Sequence, residues 1–233
     1  MTTDADQGSE LRVPLSRERL LRAAIKIADD GGLESLTMRR LAEQVGAEAM
    51  SLYYHVANKE EVLDGIVEVV VTEINDVVDR IDVPTTGADW KKAVRERILS
   101  ARQILLRHPW APRVFESRTT TSMAVLRYYD ALIGIMHNGG FSWDLAHHAL
   151  HALGSRALGF AQELFDPSSG AGDPDQTAAL QSMAGQLPNL VGMLAEVVHD
   201  DPDSTLGWCD DQAEFEFAID LLLDGLDRMR ERT

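Results

Sequence analysis

Apolar residues recur at three- and four-residue spacing along nearly the whole chain, and no stretch alternates as a half-buried strand would. This pattern predicts an all-α protein. Within residues 17–31, Leu20, Leu21, Ala24, Ile27 and Ala28 form one stripe. Ser16 is a good N-cap for that helix, and Gly31 with Gly32 ends it. Thr37 caps a second helix whose inward face is Leu41, Ala42 and Val45, and Gly46 stops it. A third helix is predicted over residues 49–55, with Leu52 and Val56 turned inward. Asn58 followed three residues later by Glu61 has the spacing of a capping box. It opens a fourth helix that continues to about residue 81.

Residues 82–88, DVPTTGA, break the helical pattern and mark a boundary. Longer helices are predicted beyond it, over residues 89–107, 119–137, 142–165, 176–199 and 210–230. A short turn is expected at 111–116 and a flexible acidic loop at 166–175. The predicted organisation is a disordered N-terminal tail over residues 1–15 and a small helical domain over residues 16–62. A linker helix joins this small domain to a larger helical domain over residues 63–233.

The 233 residues suffice for one large or two smaller cores. Cys209 is the single cysteine, which excludes an internal disulfide and fits a reducing cytoplasm. No apolar run approaches the roughly 20 residues that span a bilayer. The segment MTTDADQGSELR lacks the basic start and apolar centre of a signal peptide. A cytoplasmic protein without a membrane association is expected. The net charge of −16 opposes nucleic-acid binding, because phosphate contacts dominate such affinity. Its distribution weakens the objection. Residues 16–60 hold seven Lys/Arg and seven Asp/Glu, whereas the remainder holds fifteen basic and thirty-one acidic side chains. The acidity therefore lies outside the first helices, where it would orient them towards phosphates.

Residues 36–59, LTMRRLAEQVGAEAMSLYYHVANK, read as a short helix, a glycine-broken turn, a second short helix and a capped restart. That is the layout of a helix-turn-helix, whose second helix enters the major groove. Small or polar side chains at the start of that helix let its backbone approach base edges, while longer donors grip phosphates. Ala49, Met50, Ser51, Tyr53 and His55 suit the arrangement. Tyr53, Tyr54 and His55 are consecutive, so they do not all fit on one buried helical face and at least one ring must point outward.

Residues 20–66 resemble the N-terminal domain of the tetracycline-repressor (TetR) family of bacterial regulators. The resemblance rests on AAIKIADDGGLESLTMRRLAEQVG and, more specifically, on SLYYHVANKEEVLDGI. It implies that Thr37 touches a phosphate and Arg39 a base edge, arginine to guanine being the commonest specific contact. It likewise implies that Ala49, Met50 and Ser51 face bases and that Tyr53, His55 and Lys59 hold the backbone. Ala49 and Met50 depart from the long polar and proline residues of the tetracycline repressors. An operator of its own, read partly through thymine methyl groups, is therefore expected.

The resemblance extends more loosely through DWKKAVRERILSARQILLRHPW, HNGGFSWDLAHHAL and FEFAIDLLLDGL. It implies a core that binds a small organic effector and dimerises through a four-helix bundle, giving a homodimeric repressor on palindromic double-stranded operator DNA. The bundle helices would be residues 142–165 and 210–230, with stripes Leu145, Ala149, Ala152, Leu153 and Phe217, Leu221, Leu222, Leu226. The same stripes also read as ordinary core within one subunit. The expected effector-binding residues are Trp110, Phe115, Arg118, Tyr128, His151, Phe160, Glu163 and Met193. Phe115 stands where the tetracycline repressors carry a histidine ligand for the drug's magnesium, which argues against magnesium–tetracycline. His147 and His151 lie four apart on one helical face, but they read as helix-surface or pocket residues, and no metal and no cofactor is expected. Competing readings are a helical ligand-binding protein without DNA, or an enzyme using His151 and Glu163 as acid and base. No nucleophile or cofactor motif accompanies that pair.

Overall fold

The computed structural model describes residues 14–83, 87–118, 121–159, 185–189, 191–192 and 211–232. Among the described residues there are nine α-helices and no strand, as the periodicity predicts. They are α1 (Arg17–Gly31), α2 (Met38–Val45), α3 (Ala49–Leu52), α4 (Lys59–Val78), α5 (Trp90–Arg107), α6 (Ala111–Ser117), α7 (Met123–Asn138), α8 (Trp143–Leu158) and α9 (Asp211–Arg230). The chain forms two compact units. One takes the described residues of Met1–Arg80 and Ser100–Tyr128, the other those of Ile81–Leu99 and Tyr129–Thr233.

The first unit is built on α1, α2, α3 and α4. Ser16 accepts the Arg19 N–H at 3.2 Å, and Leu20, Leu21, Ala24, Ile27 and Ala28 are the buried face of α1, as expected. Thr37 caps α2, Leu41, Ala42 and Val45 are buried, and Gly46 turns the chain at φ 66°, ψ 38°. That left-handed geometry favours glycine. Asn58 caps α4 by accepting from the Glu61 N–H at 2.9 Å. The Glu61 carboxylate reaches one residue further back than a capping box would, to the Ala57 N–H at 2.6 Å. Helix α4 passes close to α1 at Gly65, where a Cβ would lie 2.5 Å from Leu21 Cδ2.

Several predicted boundaries change, and α7 begins at Met123 rather than at residue 119. Helix α3 ends at Leu52, because Tyr53 and His55 make tight bonds to the carbonyls of Met50 and Leu52 three residues back. The turn expected at 111–116 is the helix α6, in which Pro112 sits in the first turn, where a missing N–H costs nothing. Helix α8 stops at Leu158, with Gly159 extended at φ −72°, ψ 93°, short of the predicted residue 165. The predicted loop 166–175 and most of the predicted helix 176–199 lie outside the described residues.

In the second unit α8 packs on α9. Ala149 and Leu153 are buried from α8, and Phe215, Ile219, Leu223 and Leu226 from α9. Trp90 meets the Phe141 ring edge-on at 4.6 Å. Gly139 lies so near Trp90 that a Cβ would stand 2.6 Å from its Cβ. Polar ties join α5 to α9: Arg95 donates to Asp220 at 2.6 Å and Glu216 at 2.7 Å, and Lys91 pairs with Asp224. Hydrogen bonds from Gln212 and then Arg95 hold the Glu216 carboxyl below its ordinary range. The two stripes expected to dimerise divide here. Ala149, Leu153 and Leu226 are interior, Leu145, Ala152 and Leu222 half-buried, and only Phe217 (67% exposed) and Leu221 (58%) point outward.

Candidate nucleic-acid interface

Leu36, Leu41, Val45, Leu52 and Val56 are all buried, so the two short helices of residues 36–59 are pinned from beneath. Thr37, Arg39, Ala49, Met50, Tyr53, Tyr54 and Lys59 are left on the outer surface. Thr37 Oγ1 accepts the Arg40 N–H at 3.1 Å, which leaves its hydroxyl proton to donate outward. Arg39 projects from α2 with 89% of its side chain exposed, and its Nε donates to Glu43 Oε1 at 3.0 Å. Arg40 takes a different course, its Nη1 3.7 Å from where a Gly31 Cβ would lie, at the end of α1.

Ala49 and Met50 are exposed on α3, Met50 at 72%, while Ser51 is half-buried. Tyr53 is exposed, His55 half-buried, and Lys59 exposed at the first position of α4. Tyr54 is the outward ring that three consecutive bulky residues require, with 90% exposure. The structure thus brings Thr37, Arg39, Ala49, Met50, Tyr53 and Lys59 to the surface of one small domain, with Ser51 and His55 partly recessed. Tyr54 and Glu43 share that surface and were not among the expected site residues.

The expected effector residues are placed less uniformly. Trp110 is buried, and its indole N–H donates to Asp29 Oδ1 at 2.7 Å. The same oxygen lies 2.8 Å from His108 Nδ1, so one α1 carboxylate holds the segment before α6. Arg118, just after α6, donates to Glu60 at 2.7 Å and Asp64 at 3.3 Å in the first turns of α4. The Glu60 bond above all keeps its guanidinium charged beyond the ordinary range. Phe115 and Tyr128 are half-buried in this first unit. His151 is exposed on α8, its ring 4.6 Å from that of His147. Phe160, Glu163 and Met193 lie outside the described residues. No group of three or more His, Cys, Asp or Glu side chains suited to a metal occurs among the described residues.

Two family models match the chain. Residues 20–66 fit the bacterial regulatory proteins of the tetR family, and residues 83–230 fit the tetracyclin repressor-like C-terminal domain. The chain belongs to the TetR family. It is a ligand-responsive, DNA-binding transcriptional repressor of that family. It is 29% identical over 222 residues to the tetracycline repressor protein class C of Escherichia coli, covering 94% of each chain. It is also similar to a solved structure from Streptomyces coelicolor A3(2), described as a possible TetR family transcriptional regulator. That similarity has 30% identity and a TM-score of 0.71, and covers 92% of this chain and 100% of the other. The Streptomyces coelicolor TetR-family protein ActR, solved in complex with actinorhodin, matches at 26% identity and a TM-score of 0.70, covering 94% and 99%. Among the described residues, no helix is long and apolar enough to cross a membrane.

Proposed function

We propose that two copies of this chain bind a palindromic operator, each inserting α3 into a major groove while Arg39 reads a guanine from α2. Residues 16–62 are the reading head in this account, and residues 63–233 carry effector binding and dimerisation. Thr37, Tyr53, His55 and Lys59 hold phosphates, and Ala49, Met50 and Ser51 face bases, with Met50 against thymine methyl groups. The observation that carries this reading is the outer surface of residues 37–59. Large side chains such as Arg39, Met50 and Tyr54 stand exposed there above a fully buried hydrophobic base. The outward Phe217 and Leu221 of α9 supply the apolar surface for the second copy.

A small organic effector, mainly apolar, binds in the larger domain and favours a state that no longer fits the DNA. Such a shift requires different affinities for the two states. Helix α6 supports this coupling, since Asp29 holds the segment before it to α1 and Arg118 holds its end to α4. The half-buried Phe115 and Tyr128 are the effector contacts nearest this strap in the sequence, and Phe115 offers no metal ligand. The decisive experiment compares wild type with an Arg39→Ala, Tyr53→Ala double variant on duplexes selected from a random pool. Loss of sequence-specific binding with an unchanged melting temperature supports the assignment, and full retention refutes it.

A further inference from the structure

We infer that Glu43 is a positioning residue for base readout: by accepting from Arg39 Nε, it presents the two terminal guanidinium nitrogens end-on to a guanine. The inference rests on Arg39 being the base reader. In the free protein the Nε–Oε1 distance is 3.0 Å, so the Nε donor is the one already used. The Nη1 and Nη2 groups remain as a parallel fork, and guanine presents two acceptors, O6 and N7, in its major-groove edge. An arginine held at Nε has lost part of its freedom before DNA arrives, so less is lost on binding. Held in this way it also favours one approach, which suits the paired acceptors of guanine and not the donor–acceptor edge of adenine.

The other roles open to this ion pair are weak. Both side chains are mostly exposed, at 89% and 63%, so the pair adds little to the stability of α2. The order along the helix, with the basic residue first, is the less favourable one for such a pair. A carboxylate beside a DNA-reading surface also lowers affinity for every sequence through repulsion from phosphates. Glu43 thus contributes little to the fold and opposes affinity, which leaves selectivity as its use. Arg40, the adjacent cation, is directed towards Gly31 and does not compete for the carboxylate.

The test uses the full-length chain and a duplex recovered from a random pool, with each of the four bases placed in turn at the position that Arg39→Ala makes indifferent. Affinities for the four duplexes come from fluorescence anisotropy. A good bidentate arginine–guanine contact discriminates by roughly 5- to 150-fold. Glu43→Ala is expected to cut guanine discrimination by about threefold or more while raising affinity for all four duplexes. Removing charge alone raises all four equally, so the ratio separates positioning from electrostatics. Glu43→Gln retains an acceptor for Nε and is expected to keep the ratio within about twofold of wild type. If Glu43→Ala leaves the ratio intact while Arg39→Ala abolishes it, the positioning role is refuted and the base reader stands. If Arg39→Ala leaves every position discriminated, both fall together.

Discussion

Replacing Asp29 by alanine tests the tie between α1 and the segment that leads into α6. Its Oδ1 accepts from the Trp110 indole at 2.7 Å and lies 2.8 Å from His108 Nδ1, and both partners are buried. A buried donor left without a partner costs about 1–3 kcal/mol, so two would cost up to about 6 kcal/mol if water were wholly excluded. The Asp29 side chain is 29% exposed, however, and water entering beside a truncated side chain restores part of the loss. We expect Asp29→Ala to destabilise the protein by about 2 kcal/mol, a fall of about 4–8 °C in melting temperature for a chain of this size. Asp29→Asn keeps one acceptor at the same reach and loses only the charge assistance, so about 1 kcal/mol is expected. Thermal unfolding followed by circular dichroism measures both. A melting temperature for Asp29→Ala within about 1 °C of wild type would refute the tie. Equal losses for Ala and Asn would show that the acceptor is not its source.

Three further outcomes are expected. Gly139→Ala sets a methyl group 2.6 Å from Trp90 Cβ, near the backbone where the indole has no freedom to yield; overpacking of about 1–3 kcal/mol should appear in the same melting assay. Glu216 has its folded-state pKa lowered by Gln212 and Arg95, so its contribution is present above the unfolded value of about 4.3 and fades as pH falls through the folded one. With that carboxylate partly solvated, Glu216→Gln should cost about 0.5 kcal/mol near pH 6 and progressively less as the pH falls below about 4; a cost that does not fall with pH would contradict the sign. Leu221→Glu places a charge on the outward face of α9, and sedimentation should then find monomers, whereas a persistent dimer would move the interface elsewhere.

What the sequence made legible was chiefly local. Ser16, Thr37 and Asn58 all cap the helices they precede, because a cap needs only its own side chain and an N–H three residues on. The buried face of α2 followed from spacing alone, since that helix has only one apolar side. Helix α9 was harder, because FEFAIDLLLDGL is apolar on two sides. Spacing could not tell that Phe215, Ile219 and Leu223 turn inward while Phe217 and Leu221 turn out. The α6 helix was missed because seven residues hold too few turns to show a period. Long-range polar ties left no trace in the pattern. The partners of Asp29 are 79 and 81 residues away, and those of Arg118 are 58 and 54 away. Nothing in the spacing around Trp110 and Arg118 shows that they tie α6 to α1 and α4.

In the proposed complex, two copies of residues 37–59 read successive major grooves of one operator. Hydroxyl-radical footprinting of the full-length protein on a duplex selected from a random pool tests this most directly. Two protected patches are expected on the same face of the duplex, centred about 10–10.5 base pairs apart and related by a two-fold axis. Both patches should vanish together in the Arg39→Ala, Tyr53→Ala variant. A single patch, or protection that survives in that variant, would contradict it.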